Sequence, residues 1–431
     1  MRWLWISVFF LASFSLSAQF KNIKLAAEVD GQSLAMDPTI SINSKDPKSM
    51  VAGIGPNRAV FTQDGGNTWS EVILTSPLGE AGEPSLTSDL KGNFYYVHLS
   101  DPGNGGPKTD GWLDQIVCQK SDDGGKTWSP GTSLGINPSK DQRYAWPTVH
   151  PKRAIVYVTW TQFDTYGLAD ANCQSNVLFS MSMNAGNKWT KPIQISQTPG
   201  DCMDDDNTAQ GAFPAVAMDG RIYAVWSNQG IIFFDRSYDG GEMWLTNDIG
   251  ITKQHAGSSM KIPGYKRIGS KPVLIIDNSD VRSHGSLYVV YADQVNGESD
   301  TDILLIRSTN RGDSWIKPIR INADSSAKHQ FMPWMAVDQV TGHIYIVYYD
   351  RRAYDDLQTD VYMAYSFDRG NNFKEIKISE TPFVPSETNS LNGYINIAAH
   401  DGIITPIWTR VDAGKASIWT TIIREDSLGK K

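Results

Sequence analysis

Hydrophobic and polar residues alternate along most of this chain in short runs with a period of two, the period of a half-buried strand. Phe94-Tyr95-Tyr96-Val97 and Ile222-Tyr223-Ala224-Val225-Trp226 are representative. Each run follows an apolar stretch opened by proline and then a turn. These stretches begin at Pro38, Pro84, Pro147, Pro214, Pro272 and Pro333, with a degenerate seventh near Tyr394.

Between them an eight-residue pattern, Ser/Thr-x-Asp/Asn-x-Gly-x-x-Trp/Phe, occurs six times, starting at Thr62, Ser121, Ser182, Ser237, Ser308 and Ser366. A short polar side chain closes a turn through its own backbone, glycine takes a conformation other residues resist, and the aromatic packs under the hairpin. The unit is a structural staple. Each repeat supplies four strands, A to D, with the staple turning C into D, so the pattern predicts an all-β propeller with seven blades. The last unit, from Tyr394, ends before any staple. Its fourth strand is expected from residues 23–29, which would close the ring and cover its strand edges. A six-bladed ring with the terminal pieces as an extra sheet is the alternative.

The first residues read as a secretory signal: Arg2, an apolar core from Trp3 to Leu11, and Ser15-Leu16-Ser17-Ala18 as the exit. Residues 1–18 are therefore expected to be removed, leaving one propeller domain over residues 19–431, secreted or periplasmic, monomeric and without a membrane span. A net charge of −8 and the lack of a basic stripe argue against nucleic acid as partner. The 14 Trp and 17 Tyr suit both strands and carbohydrate clefts. Of the three cysteines, Cys173 and Cys202 are the plausible disulfide, and Cys118, in an alternating strand, is expected to be a buried thiol.

The staples resemble the Asp boxes of the sialidase-like, BNR-repeat propellers, and the resemblance spans the mature chain. Tyr349-Asp350-Arg351-Arg352 and Pro406-Ile407-Trp408-Thr409-Arg410 further resemble secreted bacterial proteins described as sialidase-like. The resemblance implies a secreted hydrolase acting on glycans. Sialidases hold a substrate carboxylate with three arginines and use a Tyr activated by a Glu, with an Asp as acid/base. Their first arginine lies in an Arg-Ile-Pro motif, where this chain reads Met36-Asp37-Pro38-Thr39-Ile40. The box also occurs in polysaccharide lyases and in non-enzymatic receptors, so function rests on the site.

If the boxes and the A–B turns share one face, the B–C and D–A loops form the other, and that face holds the candidate chemistry. Glu83, Asp164 and Asp350, with Asp141, are candidate acids and bases, and Tyr144 and Tyr394 are candidate nucleophiles or stacking platforms. Arg143, Arg267, and Arg351 or Arg352 are expected to anchor an acidic sugar, with Trp112 and His329 as further binding residues. A lyase would use His329 and Tyr394. Adjacent residues of a strand point to opposite sides, so one of Arg351 and Arg352 is expected to brace neighbouring loops instead. The stretches 201–206 and 298–302 are rich in oxygen ligands and are candidate structural calcium sites without a strict ligand spacing. No cofactor is expected otherwise, and no His/Cys pattern has zinc spacing. A non-catalytic carbohydrate- or protein-binding propeller is the competing reading.

Overall fold

The computed structural model describes residues 20–28, 37–102, 113–265, 268–279, 285–385 and 394–429. The expected signal segment, Trp112 and Arg267 lie outside them. The described strands form seven antiparallel four-stranded blades in a ring. In blade 3, for example, Asp141–Val149, Val156–Phe163, Ser175–Ser182 and Ile193–Gln194 follow one another from the axis outward. Blade 7 is completed from the other end of the chain: Ile23–Ala27 pairs with Lys415–Thr420, with Ile23 opposite Thr420 and Ala27 opposite Ser417. Asn22 ties the same terminal segment to blade 6 through its side-chain amide, which donates to the Ile378 carbonyl at 2.9 Å. The terminal strand therefore closes the ring, as the repeat count requires.

Each staple turns strand C into strand D with one hydrogen-bond pattern. The Ser or Thr hydroxyl accepts from the glycine amide four residues on at 2.8–3.0 Å. The Asp or Asn side-chain oxygen accepts from its own i+4 amide at 2.9–3.0 Å.

The staple also does something its sequence did not announce: it seats each blade on the preceding one. A Cβ built on Gly125 of blade 2 would lie 2.7 Å from Val51 of blade 1, and one on Gly312 of blade 5 would lie 2.4 Å from Phe234 of blade 4. The aromatics follow the same rule, Trp244 meeting Phe179 edge-on at 5.2 Å and Trp315 meeting Phe234 at 5.3 Å. Glycine is thus required for its positive φ and for the close approach of two blades. The A–B turns and the boxes do share a face, leaving the B–C and D–A loops on the other.

Two features of blade 4 give tests. Gly240 and Gly241 both have positive φ, but a Cβ on Gly240 meets nothing while one on Gly241 would lie 2.5 Å from Phe179. Gly240→Ala should cost about 1 kcal/mol from backbone strain, and Gly241→Ala about 3 kcal/mol through added overpacking, read from urea unfolding. Asp235 is fully buried, and burial, reinforced by Asp248, pushes its carboxyl up to about 7 although the Arg236 and Leu245 amides pull it down. The folded form therefore holds a proton that the unfolded chain releases near pH 4, so its contribution to stability is present below pH 4 and lost as pH rises towards 7. Between pH 4 and pH 8 the stability of Asp235→Asn should gain on wild type by a few kcal/mol, roughly 1.4 kcal/mol for each pH step separating the folded and unfolded titrations; a difference independent of pH would refute this.

Candidate functional site

The seven inner strands converge on the axis, and the second strand of every blade supplies a common register for comparing them. Thr39, Ser85, Trp146, Phe213, Val273, Trp334 and Asn396 are the equivalent inner-strand positions, paired respectively with Gly53, Val97, Thr159, Val225, Val290, Val347 and Ile407. Two residues before each, on the loop face, stand Asp37, Glu83, Tyr144, Gly211, Lys271, Met332 and Tyr394. Each blade contributes one. In blades 2, 3, 4 and 6 the position is the extra residue of a β-bulge and has positive φ, at 51° for Glu83, 59° for Tyr144, 73° for Gly211 and 53° for Met332. A left-handed non-glycine residue costs of order 1–2 kcal/mol, and bulges that re-aim side chains gather at functional sites.

Beneath this ring the bulges of blades 3, 4 and 6 turn aromatics into the axis, and that of blade 2 turns Ser85 there. Trp146 stacks on Phe213 at 4.4 Å and meets Trp334 and Tyr394 at 4.8 Å each, while Phe213 meets Trp334 at 5.0 Å. This layer forms the apolar floor. Tyr394 is pinned across the axis by its hydroxyl, which donates to the Pro84 carbonyl at 2.5 Å.

The polar half of the ring is a connected network. Arg143 donates to Glu83 through Nε at 2.8 Å and again through its terminal nitrogen, and the same carboxylate accepts the Tyr144 amide at 3.0 Å. The Tyr144 hydroxyl lies 2.8 Å from both Asp204 oxygens, and the Tyr166 hydroxyl donates to Asp204 Oδ2 at 2.8 Å. The Arg143 guanidinium sits 3.8 Å from Asp204 and covers the rings of Tyr166 and Tyr144 at 4.3 and 4.8 Å. Lys271 brings its ammonium 3.3 Å above the centre of the Tyr144 ring. It can do so because Gly211 has no side chain: a Cβ there would lie 2.7 Å from Lys271 Cβ. Burial holds the Tyr144 phenol well above its ordinary range, with Arg143 pulling the other way. Burial and the neighbouring Glu83 push the Asp37 carboxyl up to about 6 against Lys271 and Arg143. A phenol donating to a carboxylate, with two cations against its ring, can pass on its proton and have the resulting charge stabilised.

Of the candidate residues, Glu83, Arg143, Tyr144 and Tyr394 are brought together. Asp164 lies apart on the rim. It pairs with Lys140 at 2.6 Å and accepts the Gln174 amide, and these hold it below its usual range although burial works the other way. Asp350, Arg351 and Arg352 share no hydrogen bond or ion pair with the Tyr144 network among the described residues. Arg352 bridges Asp350 and Glu375, each at 2.6 Å, over the Tyr362 ring at the outer part of blade 6, so it is a brace. Arg351 is buried between the Tyr265 and Phe331 rings and donates to the Pro263 carbonyl and the Thr359 hydroxyl. His329 bonds Thr301 at 2.9 Å, and burial, together with Arg351 and Lys328, pushes it down to about 4. No hydrogen bond or ring contact joins it to Tyr394 among the described residues.

Among the described residues no group of three or more His, Cys, Asp or Glu side chains is placed to hold a metal ion. In the 201–206 stretch, Asp201 and Asp205 cap turns of their own loop, while Asp206 accepts the Ser259 amide.

Asp37 and Lys271 were not singled out from the sequence as site residues, and Asp204 was read only as part of the 201–206 stretch, a candidate calcium site. A signal existed for two of them: Asp37, Glu83 and Lys271 each immediately precede a strand-opening proline. Asp204 stood out only as one of several acids in its stretch, and it reaches the ring through its loop. That loop is clamped by the Cys173–Cys202 disulfide and by the Gly167 amide, which donates to the Cys202 carbonyl at 2.8 Å. Cys118 is a buried free thiol, pushed up to about 12 by burial.

Fold and ring together define the class: a seven-bladed Asp-box β-propeller with a polar cluster over an aromatic floor. No protein-family model and no curated protein matches the chain. Among solved structures it is similar to an ulvan lyase, of a new polysaccharide lyase family, bound to -[GlcA(1-4)Rha3S]-, with a TM-score of 0.56, 11% identity and coverage of 94% of this chain and 96% of that one. A protein of unknown function from Dyadobacter fermentans gives 0.52 at 13% identity, over 82% and 97%. The α-L-arabinofuranosidase Arb93A of Fusarium graminearum gives 0.50 at 11% identity, over 95% and 99%. At these identities the likeness is one of fold.

The disulfide closes a 29-residue separation. Replacing both cysteines by serine should cost about 3 kcal/mol in chemical unfolding and release Asp204 from Tyr144 and Tyr166; Cys118→Ser should leave that geometry intact. Unchanged stability in the double variant would show that packing alone holds the loop.

Proposed function

We propose that this chain is an exported, glycan-active enzyme, a glycoside hydrolase that acts on an anionic or complex glycan at the loop face and uses a tyrosine nucleophile. The observation that carries the reading is the Tyr144 hydroxyl held against the Asp204 carboxylate beside Arg143 and Lys271. Two of the structural neighbours described above support it, one named as a polysaccharide lyase with a uronate- and sulfate-bearing ligand and one as an arabinofuranosidase. Export is supported by the signal-like first residues and by the disulfide, a bond that persists in oxidising compartments.

In this mechanism Asp204 takes the phenolic proton as Tyr144 Oη attacks the anomeric carbon, and the leaving oxygen receives a proton from Asp37. Water then attacks the glycosyl–tyrosine bond, with the Asp37 carboxylate accepting its proton and Tyr144 leaving as phenol after taking its own back from Asp204. Arg143, anchored by Glu83, and Lys271 stabilise the phenolate and attract an acidic group of the substrate. The aromatic floor suits a sugar face.

A glycan array combined with a release screen on the purified chain tests this. Tyr144→Phe and Asp204→Asn should each lower kcat by at least about 100-fold, a typical scale for losing a nucleophile or its base. Because Asp37 must be protonated to act as the acid, kcat/KM should fall as pH rises through about 6, and Asp37→Asn should abolish that limb. Binding without release would replace the hydrolase by a binding module, and an unsaturated uronide product would replace it by a lyase.

A further inference from the structure

Arg351 follows the second strand of blade 6 on the loop face, and its side chain reaches the segment 259–265 that precedes Lys271 in the chain. Only 3% of it is exposed. Its Nε donates to the Thr359 hydroxyl at 3.0 Å and its Nη1 to the Pro263 carbonyl at 2.8 Å. Its Nη2 is enclosed and makes no hydrogen bond, and the same holds for the hydroxyl of Tyr265, a residue 5% exposed. The two groups are neighbours. The guanidinium lies 5.5 Å from the centre of the Tyr265 ring, and it pulls down a phenol that burial pushes up.

Nothing in contact with Arg351 balances its charge. Among the described residues no carboxylate forms an ion pair with it, and Asp350, next in the chain, is held by Arg352 at 2.6 Å. Burial pulls the guanidinium below its ordinary value, although Tyr265 and the exposed Asp356 work the other way. The Tyr265 and Phe331 ring faces, at 5.5 and 5.3 Å, recover only part of the hydration that a buried ion loses. A shift that let Nη2 donate to the phenolic oxygen would still leave the phenolic proton without an acceptor and the charge unanswered.

Two enclosed donors, one of them cationic, thus stand together without an acceptor. A water molecule would take their protons and leave the charge. A sulfate or phosphate would bring four oxygens to two donors and bury the rest unpaired. Neither donor atom is reached by solvent, so the space between them suits an ion of atomic size.

We propose that Arg351 Nη2 and the Tyr265 hydroxyl form a buried halide site that takes chloride and clips the 259–265 segment to blade 6. The reaction assigned to Tyr144 does not enter into it.

Urea unfolding of the purified chain, with sodium chloride exchanged for sodium gluconate at constant ionic strength, separates binding from screening. A site half-filled at about 1 mM chloride lowers the unfolding equilibrium constant roughly 100-fold at 100 mM. Arg351→Met should abolish this chloride dependence. Tyr265→Phe, which keeps the ring, should raise the half-filling concentration by about tenfold. Tyr144→Phe should leave the dependence unchanged, so the halide site is tested apart from the loop-face chemistry. In crystals grown with bromide, anomalous scattering should place an ion within hydrogen-bonding reach of both Arg351 and Tyr265. Equal stability in chloride and gluconate, a chloride dependence that survives in Tyr265→Phe with its midpoint unmoved or persists in Arg351→Met, or bromide only elsewhere on the molecule, an adventitious ion only, would overturn the proposal.

Discussion

Crowding at the axis is the constraint on which the candidate site depends. Seven inner strands converge, and the space between them is filled at one level by Trp146, Phe213, Trp334 and Tyr394. Trp146, Phe213 and Trp334 each reach that level through a bulge, which spends one residue in a left-handed conformation and turns the aromatic inward two residues later, whereas the bulge of blade 2 turns Ser85 inward. The layer is thus more than packing. It separates a polar ring, where cations and carboxylates are in contact, from a cavity on the staple side that all seven inner strands line. Burial of Tyr144 keeps the local dielectric around it low and strengthens each interaction made there.

The propeller was legible in the sequence because its decisive signals are local. Six staples and an alternation of period two specify hairpins without knowledge of any distant residue, and the missing staple after Tyr394 required a strand from the N-terminus, which Ile23–Ala27 supplies. The seating of each staple on the preceding blade was not legible. Gly312 looks like any turn glycine until Phe234, far back in the chain, is found 2.4 Å from where its Cβ would be.

The candidate site was legible in part for the same reason. Glu83, Arg143, Tyr144 and Tyr394 stood out as polar or aromatic residues at loop-to-strand junctions. The densest cluster of charge, Asp350-Arg351-Arg352, pointed elsewhere, since an outer edge that must tie Tyr348, Glu375 and Asp350 together needs the same residue types as an anion site. Charge density in a loop does not distinguish the two. Position relative to the axis does, and it emerges only when the blades are aligned through their second strands.

That alignment also shows why the ring is unequal around its circumference. Asp37, Glu83, Tyr144 and Lys271 occupy four equivalent positions, and Gly211 stands between the last two in ring order. A side chain at Gly211 would hold Tyr144 and Lys271 apart. Its absence lets the lysine stem lie across the fourth blade and bring the ammonium onto the Tyr144 ring at 3.3 Å. One cation therefore approaches the phenol from its face while Asp204 accepts from its hydroxyl, and the two partners come from different parts of the ring. A network assembled this way has little freedom to adjust, because each member is fixed by the register of its own strand.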